Sequence, residues 1–125
     1  GIHAPLKGDA AYLGIELQIL DNTADKYKDL NAYQYHGSVY GIIPAKRGYL
    51  KPVGESNQQE VYVNGPKIKV TLNVTVIVDG DINEATKDGA MDGKNHPGLQ
   101  RTKGHIGFLG HGDKLKFRNI NIKEI

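Results

Sequence analysis

The sequence predicts an all-β domain. Sixteen glycines in 125 residues divide the chain into short apolar segments, as turns divide the strands of an antiparallel sheet. Several of these segments alternate apolar and polar side chains, which is the period of a strand with one buried face. No amphipathic helical pattern of useful length appears. The five or six strands expected from these segments make part of a β-sandwich, in one domain over residues 1–125.

The first strand is predicted over residues 15–20, within "GIELQILDN". Three apolar side chains share one face of it: Ile15, Leu17 and Ile19. Because side chains on a strand point alternately to its two faces, Glu16 and Gln18 lie together on the other face. The pattern alone favours a solvated outer strand, and the alternative is the floor of a polar binding site.

Further strands follow along the chain. Residues 37–43 form a short apolar segment, and "QEVYVNGPKIKVTLN" contains two alternating runs that meet at Asn64-Gly65. Asn-Gly suits a tight turn because both residues tolerate positive φ. Pro66 has no N–H, so we expect it at the unpaired first position of the second run. A third run, at residues 74–78, continues the meander.

The last third of the chain is predicted to be a long loop followed by two strands. Residues 79–104 are polar, and a loop of this length is often functional. Residues 105–113 are predicted as a strand and turn, and residues 114–125 as the closing strand. The apolar phase slips within that closing strand, which indicates a β-bulge near Arg118-Asn119.

Composition excludes several classes of function. The net charge is only +2, with scattered Lys and Arg, which argues against a nucleic-acid partner. No apolar run approaches the roughly 20 residues that span a bilayer. The absence of Cys rules out disulfides and thiolate catalysis. Because the chain begins at Gly1 rather than Met, we expect it to be processed or excised, and a lost targeting segment stays open.

Six segments, taken together in order, carry a family resemblance: "GIHAP", "GIELQILDN", "GSVYGIIP", "KPVGESNQQEVYVNGPKIKVTLN", "HPGLQRTKGHIGFLGHGD" and "KFRNINIKEI". They resemble the 3-keto-disaccharide hydrolase domain, a bacterial family with a concanavalin-like jelly-roll β-sandwich. The family domain has more strands before the equivalent of Gly1, so this chain resembles its C-terminal two-thirds. We therefore expect a missing N-terminal segment or a second chain to complete the sandwich. The resemblance also implies a carbohydrate ligand and a periplasmic or extracellular location.

One departure from the family pattern affects a turn. The family commonly has Asn-Gly in the turn after the second run, where this chain has Asn73-Val74. Val resists positive φ, so a tight turn at this position is expected to be energetically costlier.

The candidate catalytic residues are Glu16, Asp21 and His111. Glu16 can act as a general base, and Asp21 lies at the end of the same strand, where a turn-capping role is equally open. His111 stands between two glycines, which allow a ligand to approach its ring. Candidate substrate contacts have side chains that can stack on or donate to a sugar; they are Gln18, Tyr40, His36 and Arg101.

The resemblance implies cleavage of a glycoside already oxidised to a 3-ketone. The ketone acidifies the C2 proton, so a base such as Glu16 or His111 can remove it and the C1 substituent leaves by β-elimination. A hydrogen-bond donor or a divalent metal would stabilise the enolate, but no metal-ligand spacing appears and no cofactor is indicated. The alternatives are a non-catalytic carbohydrate-binding module and an interaction module of a larger secreted protein.

Overall fold

The computed structural model describes residues 1–125, and its longest regular elements are three strands of one antiparallel sheet. In chain order they are β1 (Gln59–Asn64), β2 (Lys67–Leu72) and β3 (Thr75–Asp81), with β2 in the centre. The α-helices are short, namely α1 (Ala10–Leu13) and α2 (Ile82–Thr86). Three 3₁₀ turns complete the regular structure: Asp25–Tyr27, Ala32–Gln34 and Pro97–Gln100.

The predicted hairpin between β1 and β2 is confirmed. Asn64 pairs with Lys67, so the two loop residues are Gly65 and Pro66. Gly65 has φ of 57°, a conformation that glycine adopts without steric cost. The expectation that Pro66 opens the second strand was wrong, because Pro66 lies in the loop itself, where its missing N–H costs no ladder hydrogen bond.

The meander continues as predicted through a second two-residue loop. Leu72 pairs with Thr75, which leaves Asn73 and Val74 as the loop residues. Their φ angles are 47° and 67°. Two consecutive positive φ angles are the requirement of a type I′ hairpin turn, so Val74 occupies a position that usually belongs to glycine.

The core lies on one side of this sheet. The alternation within β2 buries one face completely, with Ile68, Val70 and Leu72 at 2% exposure or less. Ile77 and Ile82 extend the same cluster from β3 and α2. Burial of such side chains contributes about 1.5–3 kcal/mol each, and it is the main stabilising term of this sheet.

The second layer consists of isolated β-bridges. Ile15 pairs with Ile2, and Val39 pairs with both Leu17 and Ile43. Ile15 and Val39 are buried against the core under β2. The predicted strands at 15–20 and 37–43 are therefore single bridges, because the chain turns away after one or two hydrogen bonds on each side.

The segment 79–104 is more ordered than the predicted loop. It contains the end of β3, helix α2 and the Pro97–Gln100 turn. Asp81 is the N-cap of α2. Its side chain accepts hydrogen bonds from the N–H groups of Asn83 and Glu84 and so satisfies donors that the helix leaves free.

The strands predicted over 105–113 and 114–125 are not formed, and this corrects the sequence interpretation. His105 and Gly107 bond to the backbone of residues 1–4, and the rest of the segment has no ladder partner. Its alternating apolar side chains are exposed, including Phe117 at 44% and Ile122 at 73%. A strand needs a neighbour for its N–H and C=O groups. The predicted bulge at Arg118-Asn119 is absent for the same reason. The sheet instead has a register shift between β2 and β3, where Val70 pairs with Val78 and Thr71 with Val76, so Ile77 of β3 is the extra residue.

Candidate functional site

Glu16 and Tyr40 are neighbours across the bridged layer. The Tyr40 N–H donates to the Glu16 carbonyl at 2.9 Å, one residue from the bridge between Leu17 and Val39. Directly opposed residues of an antiparallel pair project to the same side, so the carboxyl of Glu16 and the ring of Tyr40 share the face away from the core. This is the face that the sequence pattern assigned to Glu16.

The Glu16 side chain is partly buried. Burial raises the pKa of this carboxyl above its ordinary value, and Asp9 acts in the same direction. The Gly1 amino group and His111 act in the opposite direction and are outweighed. A carboxylate whose pKa is moved towards neutral pH is a better proton acceptor. Glu16 thus has the environment of a general base, with His111 near enough to act on its charge.

A tether holds the loop that carries His111. Asp113 lies two residues beyond His111 and accepts from the Lys26 ammonium at 2.6 Å and from the Tyr27 hydroxyl at 3.3 Å. The Lys26 and Asp113 side chains are each 56% exposed, so salt in the solvent screens this pair. The tether nevertheless fixes an otherwise unpaired loop.

Aromatic residues surround the Tyr40 ring. Tyr33 meets it edge to face with 5.9 Å between ring centroids, an arrangement that aromatic quadrupoles favour. Burial raises the pKa of the Tyr40 phenol, and nearby Tyr12 adds to the rise, while Lys94 and Gln34 oppose it. Tyr12 and Lys94 therefore lie near the Tyr40 hydroxyl.

A buried pair, Asp92 and His96, lies beside Tyr12 and Tyr40 and contacts the backbone of the residues next to them. The His96 Nε2 lies 2.8 Å from Asp92 Oδ2, and these side chains are 1% and 4% exposed. The His96 Nδ1 lies 2.9 Å from the Ala11 carbonyl oxygen. Burial alone would raise the pKa of Asp92, but hydrogen bonds from the Lys94 N–H and His96 hold it below its ordinary value. The sequence signal for this pair is the spacing of four residues between Asp92 and His96.

Gln18 and Asp21 continue the Glu16 segment in different environments. The Gln18 amide donates to the Gln34 carbonyl at 3.3 Å. Asp21 accepts from both the N–H and the hydroxyl of Thr23, at 2.9 and 2.6 Å, which lower the pKa of its carboxyl. Asp21 therefore occupies the turn-capping position, and it is absent from the charges that act on Glu16.

His36 and Arg101 are bound within the protein. His36 Nδ1 accepts from the Leu20 N–H at 3.3 Å, and its Nε2 lies 2.8 Å from Gln59 Oε1. Burial lowers the pKa of this imidazole. Arg101 donates from Nε to the His3 carbonyl at 2.7 Å. The predicted ligand roles of both residues stay predictions.

Neither a metal centre nor a membrane helix emerges from these residues. No group of three or more His, Asp or Glu side chains is arranged to hold a metal ion, so no metal site is assigned. No helix is long and apolar enough to cross a bilayer.

A family model described as the 3-keto-alpha-glucoside-1,2-lyase-like domain matches residues 1–123. The chain belongs to this family. The predicted resemblance to the 3-keto-disaccharide hydrolase domain is thereby confirmed.

Two relatives of the lyase-like domain agree with this assignment. A protein of Bacteroides thetaiotaomicron named 3-keto-disaccharide hydrolase is 30% identical over an alignment of 126 positions, which covers 86% of this chain and 43% of that protein. A crystal structure of a protein named as a glycosyl hydrolase, from Parabacteroides distasonis, matches with a TM-score of 0.58 and 26% identity. That match covers 69% of this chain and 45% of the other. The chain thus spans less than half the length of both relatives.

Proposed function

We propose that the lyase-like domain cleaves 3-keto glycosides by β-elimination, with Glu16 as the general base. The observation that carries this proposal is the partly buried Glu16 side chain, with the raised pKa of its carboxyl, on the same face as Tyr40. The names of the family and of the B. thetaiotaomicron relative supply the substrate class. Tyr40 offers a ring face to a pyranose and a hydroxyl to its oxygens.

The proposed chemistry balances without a redox partner. Glu16 takes the proton at C2, and the electrons of that bond form a double bond to C3 while the ketone oxygen takes the negative charge. Collapse of this enolate forms the C1–C2 double bond and breaks the bond from C1 to the departing oxygen. That oxygen takes a proton from His111 or from solvent. Addition of water across C1 and C2 then completes a net hydrolysis.

The fold supports a related structural proposal, in which the chain is part of a concanavalin-like jelly-roll sandwich. The sheet β1–β3 packs through Ile68 and Val70 against a second layer that contains Ile15 and Val39. Two layers joined by a shared apolar core are the basis of a sandwich, and this packing supports the proposal.

A chromogenic 3-keto glucoside tests the function directly. We expect release of the aglycone with the appearance of an enone, and no release from the parent glucoside that lacks the ketone. Glu16→Gln keeps the shape of the side chain and removes the base, so turnover should fall by about 100-fold or more. Because the base must be ionised and its pKa is raised, the rate should decline at acid pH starting above the range of an ordinary Glu. Full turnover by Glu16→Gln would refute the assignment.

A further inference from the structure

Lys94 and Tyr12 form a donor pair on the Tyr40 side of the candidate site. The Lys94 ammonium donates to the Tyr12 hydroxyl at 3.1 Å and lies 5.5 Å from the centre of the Tyr12 ring. The Tyr12 oxygen accepts this hydrogen bond, and its hydroxyl carries one proton of its own. The ammonium keeps further protons to donate as well. Lys94 is solvent-exposed, so a ligand on this face can reach it.

The segment that carries Lys94 is fixed by the buried Asp92–His96 pair. Asp92 Oδ1 accepts from the Lys94 N–H at 2.9 Å, and the Asp92 N–H donates to the Gly41 carbonyl at 3.3 Å. The His96 ring bridges the Ala11 carbonyl oxygen, 2.9 Å from Nδ1, and the Asp92 carboxylate, 2.8 Å from Nε2. The pair thereby ties the Lys94 segment both to the residue before Tyr12 and to the residue after Tyr40.

The backbone at Gly41 is shaped for this contact. Gly41 has φ of +75°, and a Cβ at this position would lie 2.6 Å from Asp92 Oδ2. Only glycine combines that conformation with so close an approach. The Tyr12 ring packs on His96 with 4.9 Å between centroids, which orients the phenol of the donor pair from the same support.

We propose that Lys94 and Tyr12 are the donors that stabilise the enolate oxygen, and that Asp92 and His96 are their positioning residues. The proposal rests on the β-elimination function. When Glu16 removes the C2 proton, negative charge develops on the ketone oxygen, and preorganised donors at that oxygen lower the barrier. An ammonium with a phenol in a fixed pair supplies such donors from the protein itself.

Turnover of the 3-keto glucoside by a set of matched variants is the first test. Lys94→Met should lower kcat by about 100-fold with a smaller change in KM, because the interaction forms mainly in the transition state. Lys94→Arg should recover part of the loss. Lys87→Met, which removes another exposed ammonium that pairs only with Glu84, should leave turnover unchanged. Turnover that depends on Glu16 and is unaffected in Lys94→Met would overturn the proposal and leave the function standing.

Binding of kojate, a planar sugar-sized enolate, tests the donor pair without turnover. Calorimetry should detect binding to the wild-type protein and at least a tenfold loss in Lys94→Met or Tyr12→Phe, with no loss in Lys87→Met. Kojate binding that depends on Lys94 in a protein without turnover would support the donor pair and refute the function. A wild-type protein that does not bind kojate, or binds it equally in Lys94→Met, would overturn the donor pair.

A double-mutant cycle separates positioning from a purely structural role. Asp92→Asn should reduce kcat by a larger factor in the wild-type protein than in Lys94→Met, where only the part of its effect that runs through Tyr12 remains. Such non-additivity is expected when one residue acts through the other. If the two losses multiply, Asp92 does not act through Lys94 and the positioning role is refuted.

Discussion

Replacement of Val74 by Gly should stabilise the protein. Val74 is a β-branched residue at φ 67° in the loop between β2 and β3, and it is 95% exposed. A branched Cβ crowds the backbone in this left-handed region. The side chain contacts almost nothing that could compensate, so the strain is expected to remain as a net cost in the folded state.

The magnitude follows from two opposing terms. The left-handed conformation costs a non-glycine residue about 1–2 kcal/mol, and Val74→Gly removes that cost. Glycine loses more backbone entropy on folding, which returns about 0.5–1 kcal/mol. Loss of burial is negligible at 95% exposure. We therefore expect a gain of about 1 kcal/mol in the free energy of unfolding, or about 4 °C in Tm for a chain of this size.

Urea denaturation followed by circular dichroism measures this difference. Val53→Gly is the matched control, because Val53 is also an exposed loop valine at 80% but has no positive φ. The control should be destabilised by about 0.5–1 kcal/mol through the entropy of its unfolded chain. If Val74→Gly loses stability as Val53→Gly does, the strain argument is wrong.

Two further predictions concern stability and salt. The pKa of His36 is lowered in the folded protein, so the stability that neutral His36 contributes is present above the ordinary His value of pH 6.5 and is lost as the pH falls towards the folded pKa. His36→Gln should therefore flatten the decline of the urea midpoint between about pH 7.5 and 5.5. An unchanged slope would exclude His36 as the source of that decline. Asp113→Asn should lower turnover and make turnover insensitive to salt, while Tm stays nearly constant. The reason is that the Lys26–Asp113 pair is exposed and screened by salt. Wild-type turnover that is independent of salt would contradict this prediction.

The meander was predictable because its signals are local. Alternation over two neighbouring runs and a glycine at the turn between them are enough to pair β1 with β2, since the two runs are adjacent in the chain. The loop residues are Gly65 and Pro66 rather than Asn64 and Gly65. The face of Glu16 followed from the same period. The segment 114–125 shows the limit of this reasoning, because its alternating apolar side chains also predicted a strand while its backbone lacks a neighbouring strand.

The sequence by itself determined the β meander, the face on which Glu16 lies and the strain expected at Val74, because each depends on residues close together in the chain. Only the tertiary structure decided the rest of the candidate site. His96 bonds to a carbonyl 85 residues away, and Lys94 reaches a phenol 82 residues away. Contacts between residues so far apart in the chain produce no periodic pattern in the sequence. They exist because the Asp92–His96 pair finds its remaining hydrogen-bond partners only in the folded core.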